Sequence, residues 1–276
     1  MVISLASPEL PSLITLANPA GADGAVAGMA GPVDEKPGGE NMLQSMKAGS
    51  YAAIAPGGGA CGIRVEQVSP GSQPLSLPGE TLESSGLTEA TLAKFNQPAW
   101  RAIIQMEAPG KEVRETVVFA TQLAKRLAAL ADGIVMDTSA WRFFGPTGWP
   151  VENPIGEFDA REHVHLHIEA ESRWFHTHGL IKFGRPEMEI YDVPPELDQV
   201  AFTTLLDISQ YVITSALIQP GQTCGNETQP FYARAGKQNS AHWKGVPVLE
   251  LVDLDDRGKP VSSGAPKALR LSAAAD

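Results

Sequence analysis

Cysteine is nearly absent from this chain. Its 276 residues hold only Cys61 and Cys224, too few for a disulfide framework and in keeping with a reducing, cytoplasmic setting. Long apolar runs are also missing: no stretch reaches the ~18 residues of a membrane-spanning helix. Residues 1–16 lack a basic segment and contain Pro8, Glu9 and Pro11, so no signal peptide is expected. Bases are scarce, 21 against 32 acids, and the formal net charge of −11 repels nucleic-acid phosphate. The glycine run Pro56–Gly62 has no following Gly-Lys-Ser/Thr, and no G-x-S-x-G, H-E-x-x-H or C-x-x-C motif occurs, so several nucleotide, hydrolase and zinc classes lose their usual marks. The expectation is an acidic, cytoplasmic, globular protein whose partner is neither membrane nor nucleic acid.

Glycine (27) and proline (22) are abundant and imply long connections. Pro19–Asn41 reads as a long loop with little to bury. Tyr51–Ala55 and Ile63–Val68 read as short strands, and Leu87–Phe95 as a short helix behind Ser84 and Ser85. From Ala99 the patterning sharpens. Trp100–Met106 alternates as a strand. Glu112–Ala131 carries Val113, Val117, Ala120, Leu123, Ala124, Leu127 and Leu130 at helical spacing, and Ile134–Met136 starts another strand. Strand, helix and strand suggest a βαβ-type unit or half of a split α+β sandwich. Further strands are expected at His163–Ile168, Trp174–Phe183, Glu187–Tyr191, Phe231–Arg234 and Val246–Val252, with a helix from Pro195 or Glu196 to Leu217. The fold class is α+β: two principal helices on one face of a mainly antiparallel sheet. An irregular Gly/Pro-rich N-terminal region (1–98) precedes the main domain (99–262), and a flexible tail follows (263–276).

Five of the six histidines lie between 163 and 178. Strand side chains alternate, so His163, His165 and His167 share one face, opposite Val164, Leu166 and Ile168. His176 and His178 share a face of the next strand, opposite Phe175 and Ile181. With a turn at Ala170–Arg173, paired positions sum to 343: His167 faces His176 and His165 faces His178. A one-residue slip would turn the histidines onto the core face. Imidazole is a preferred ligand of zinc, iron, copper and nickel, and three such nitrogens leave a position for water. Eleven acids against four bases between Glu152 and Asp198 favour a cation, and Glu162, Glu169, Glu187 or Glu189 could add an oxygen. His165, His167, His176 and His178 are therefore the candidate metal ligands, with zinc the candidate cofactor. Against this stand a solvated sheet face decorated with histidine and a pH-sensitive surface. Cys61 and Cys224 read as buried, inert thiols, and Trp141, Phe143, Phe144 and Trp149 as loop residues folding back onto the core.

The stretch Trp174–Pro194 resembles a group of uncharacterised bacterial proteins with a T-H-G-L-x-x-F-G-x-P-E pattern, matched here by Thr177, His178, Gly179, Leu180, Phe183, Gly184, Pro186 and Glu187. The resemblance extends over roughly Trp100 to Leu217. It implies an α+β fold in a soluble bacterial protein and brings no catalytic residues with it. Two functions follow from the whole reading. The leading one is a non-catalytic accessory or immunity-type module that binds another protein. The alternative is a metal-dependent enzyme of hydrolase or hydratase type, built on the histidine hairpin.

Overall fold

Residues Val2–Leu5 form a strand (β1) in the interior of a sheet, although nothing in the four-residue sequence VISL marks it as central. The computed structural model describes residues 1–17, 28–30, 44–55, 58–69, 71, 87–107, 113–145, 158–226, 229–236, 240–255, 259–261 and 269. The chain forms two compact units, Met1–Glu157 and Phe158–Asp276.

After β1, the first unit contains α1 (Leu13–Ala17), β2 (Gly28–Ala30), β3 (Gly49–Ile54), β4 (Ala60–Gln67), α2 (Glu89–Asn96), β5 (Trp100–Glu107), α3 (Val113–Leu130), β6 (Gly133–Asp137) and β7 (Arg142–Phe144). The sheet order is β2-β3-β4-β5-β1-β6-β7, antiparallel at every pairing. Both β5 and β6 run antiparallel to β1 between them, so β5–α3–β6 is a split βαβ unit. The apolar stripe of α3 buries Val117, Ala120, Leu123, Ala124 and Leu127, the last four in one core with Ile3, Leu5, Ile63, Val65, Ala102 and Ile104. The stripe frays at its end, where Leu130 is exposed. Helix α2 is capped by Thr88, whose side chain accepts from the Thr91 amide, and its Phe95 meets Phe143 edge-on at 5.2 Å.

The expected boundary at residue 98 is corrected here. It would cut through one sheet, because β4 pairs with β5 from Ala60↔Glu107 to Gln67↔Trp100. Strand β4 buries Cys61, Ile63 and Val65 on one face and is paired along both edges, with β3 and with β5. The loop at Pro19–Asn41, apart from β2, lies outside the described residues. So do Ser84 and Ser85, Trp149, and the tail from 263 apart from Leu269.

The second unit contains β8 (His165–Glu169), β9 (Trp174–His178), β10 (Glu187–Ile190), α4 (Asp198–Thr214), β11 (Thr223–Asn226), β12 (Gln229–Ala235), α5 (Ser240–Trp243) and β13 (Val248–Val252). Its order is β11-β12-β13-β10-β9-β8, and only β10–β13 is parallel. Helix α4 lies against β8 and β9 and buries Ala201, Leu205, Ile208 and Val212. The class is α+β, but with one principal helix on each of two sheets rather than two helices on one. Alternation reveals strands without revealing which pair. Among the described residues no helix is long and apolar enough to cross a membrane.

Candidate metal centre

The β8–β9 hairpin has the register expected from the sequence: His165 pairs with His178 and His167 with His176. The connection 170–173 ends at Arg173 in a left-handed conformation, φ 50°. Arg173 donates from Nε to the Val193 carbonyl at 2.7 Å and pairs with Asp198 at the start of α4. The reverse face buries Val164, Leu166 and Phe175, while Ile168 and Ile181 are each 37% exposed. His163 leaves the set. It follows a 3-10 turn, Ala160–Glu162, and its ring stacks on Phe158 at 5.1 Å.

Register carries the polar face on across the sheet. His167 pairs with His176, His176 with Glu189, Glu189 with Glu250, and Glu250 with Arg234. Directly paired residues share a face, so five strands present one polar row. Arg234 clamps Glu250 with two charge-assisted bonds, Nε–Oε2 at 2.9 Å and Nη2–Oε1 at 2.5 Å, which raises the guanidinium pKa above its ordinary value. Both ring nitrogens of His176, a residue with no exposed surface, are buried without a hydrogen-bond partner.

The sixth histidine completes the cluster. His242 comes from α5, which Lys244 (φ 47°) and Gly245 (φ 90°) terminate before β13. Each of His176, His178 and His242 offers a ring nitrogen, and these three atoms lie within 4.8 Å of one another. A tetrahedral ion with Zn–N near 2.0–2.1 Å needs its nitrogens about 3.4 Å apart, so ligation would draw the three rings closer together. His165 and His167 are not in this triad. They stand beside it on the edge strand, with the His167 and His176 ring centroids 5.0 Å apart.

Aromatic rings wall the triad. Trp174 stacks on His176 at 3.8 Å, and Trp243 lies 5.4 Å from both His176 and His178. One buried carboxylate oxygen, Glu189 Oε2, accepts from Trp174 Nε1 (3.2 Å), Trp243 Nε1 (3.1 Å) and the Tyr191 hydroxyl (2.9 Å). The Trp243 bond ties the helix bearing His242 to the sheet, and the other oxygen, Oε1, is buried without a partner. Burial, and then neighbouring histidines, push His176 far below the ordinary imidazole range and His178 from 6.5 to about 3. Burial also raises Glu189. His176 and His178 are therefore neutral, the protonation state that metal ligation requires.

The T-H-G…P-E segment builds the turn that holds His178. Glu187 accepts from the Thr177 hydroxyl (2.7 Å) and from the amides of Gly179 (2.8 Å) and Ile181 (3.1 Å). Gly179 has φ 114°, a conformation costly for any other residue. Thr177 and Glu187 thus hold the strand end while His178 faces the cluster. Of the carboxylates expected to assist a cation, Glu187 is committed to this turn, Glu162 sits on the turn before β8, and Glu169 accepts from Ser172. Glu189 alone among them stands directly opposite a triad histidine. Sequence spacing gave no sign of His242; its flanking Trp243 is the nearest thing to a marker. Compared with protein-family models, curated proteins and solved structures, the chain matches none.

Proposed function

We propose that this protein binds a first-row divalent transition metal through His176, His178 and His242, an all-imidazole donor set that zinc takes in three-ligand sites. One observation carries the reading: His176 is fully buried with neither nitrogen hydrogen-bonded, inside a triad whose ligand atoms lie within 4.8 Å. An unsatisfied buried polar group costs about 1–3 kcal/mol, a penalty that a metal–nitrogen bond removes. Three protein ligands leave a fourth tetrahedral position for water or substrate, the arrangement of zinc hydrolases and hydratases. The resemblance to uncharacterised bacterial proteins covers the turn that positions His178 and is silent on chemistry.

A second reading, a cytoplasmic accessory module that binds another protein, is favoured by the net charge of −11. Zinc titration of chelator-treated, untagged protein by calorimetry separates the two. One equivalent bound, with a raised melting temperature, supports the metal reading. No binding and no thermal shift would withdraw it and leave the interaction module.

A further inference from the structure

Resting on that metal reading, we infer that edge strand β8 is an outer docking site that takes a divalent transition metal from solution and passes it to the buried triad. The triad has an access problem. Of its three ligands only His242 is half-buried; His176 is fully buried and His178 nearly so, with Trp174 stacked on the first and Trp243 beside both. A hydrated cation cannot shed its whole water shell at once to reach such a site. Exchange is easier when each departing ligand is replaced as it leaves, and imidazole is a ligand that these metals accept.

The hairpin supplies that ladder. β8 is the outermost strand of its sheet. Its His165, His167 and Glu169 alternate onto the triad's face and are half-buried, each keeping some access to water. His165 is the direct partner of His178, and His167 that of His176. The His167 and His176 centroids are 5.0 Å apart, as close as His176 and His178 at 4.9 Å or His176 and His242 at 5.1 Å. The imidazoles therefore form a chain of near-equal spacing from half-exposed strand to buried triad.

At each step one metal–water or metal–imidazole(outer) bond breaks as one metal–imidazole(inner) bond forms. The accepting nitrogen contributes its lone pair, the other nitrogen keeps its proton, and released water returns to solvent. The metal's oxidation state does not change. This also gives five clustered histidines a use where three would fill the site. A relay alters rates in both directions by the same factor and leaves the end state alone, which distinguishes His165 and His167 from the ligands.

The test uses the full chain and cobalt(II), whose visible absorption reports nitrogen ligation, in stopped-flow uptake and in release to excess chelator. The variants are His165→Ala/His167→Ala and the milder His167→Gln. The expected result is one equivalent bound by wild type and variants alike, with uptake and release both slowed in the double variant by about tenfold, a barrier change of about 1.4 kcal/mol, and the dissociation constant held within about twofold. His167→Gln, whose fold is least disturbed, should be slowed in the same sense. Unchanged rates with unchanged stoichiometry would overturn the relay and leave the triad standing. Loss of stoichiometry or a weakened dissociation constant would overturn it by making the pair ligands. Failure of wild type to bind cobalt or zinc would overturn the metal reading and the relay with it.

Discussion

His176 and Glu189 are direct partners across β9 and β10, both without exposed surface, and they are not hydrogen-bonded to each other. A neighbouring carboxylate ordinarily draws a proton onto imidazole. Here Glu189 Oε2 is saturated by two indole N–H groups and a phenol, and burial dominates His176. The result is a neutral imidazole beside a carboxylate that organises the walls rather than the ring.

Replacing His242 by alanine should abolish zinc-dependent stabilisation while the metal-free protein stays folded, since His242 is half-buried on a four-residue helix. Zinc at a hundred times its dissociation constant adds about 2.7 kcal/mol to a protein that binds it only when folded. Urea titrations with and without zinc should show a gain of that size in wild type and none in His242→Ala.

Gly236 should matter although it is no ligand. A Cβ there would lie 2.5 Å from Glu189 Oε1 and 3.0 Å from Val248 Cγ1, displacing the carboxylate that holds Trp174 and Trp243. Gly236→Ala should weaken zinc affinity by about tenfold and shift indole fluorescence. Calorimetry showing wild-type affinity would mean that Glu189 does not govern the position of His242.

Acid should destabilise the metal-free protein. His178 is pushed down from 6.5 to about 3, and His176 is displaced the same way. Below pH 6.5 the unfolded chain takes up protons that the native state refuses. Stability is therefore intact above 6.5 and lost as pH falls from there toward 3, on the order of 2 kcal/mol per histidine by pH 5. The loss should shrink in His178→Ala, read as urea stability at pH 7 and pH 5.

Glu187 should act in the opposite sense. Burial raises it from 4.5 to about 7 against the hydrogen bonds it accepts, so the native carboxyl keeps a proton that the unfolded chain gives up. Its contribution is full below 4.5 and is lost as pH rises through 7. Glu187→Gln, which can still accept from the Gly179 and Ile181 amides, should remove that slope. An identical pH profile in the variant would show that the hydrogen bonds offset burial.

In the first unit, Gly133 admits no side chain: a Cβ would meet Leu5 Cδ2 at 2.7 Å and Ala128 Cα at 3.0 Å. Gly133→Ala should cost about 1–3 kcal/mol through overpacking and leave zinc binding, which uses only residues of the second unit, at one equivalent.

The hairpin was readable in the sequence because two alternating patterns joined by a short turn admit one register that keeps Phe175 and Leu166 inside and the histidines together. The α3 stripe was readable for the same reason, apart from its fraying end at Leu130. Pairing between distant segments was not. The place of β1 between β5 and β6 depends on non-local hydrogen bonds, and VISL looks the same in any strand. His242 was hidden because it lies 64 residues beyond His178 and returns through α5 and one buried Trp243–Glu189 bond. Local periodicity carries no trace of such a contact.

Elemental analysis of untagged wild type and His242→Ala, each loaded with zinc and dialysed against metal-free buffer, addresses the triad most directly. Near one equivalent of zinc in wild type and almost none in the variant is the expected result. Equal zinc in both, or none in either, would contradict a centre built from His176, His178 and His242.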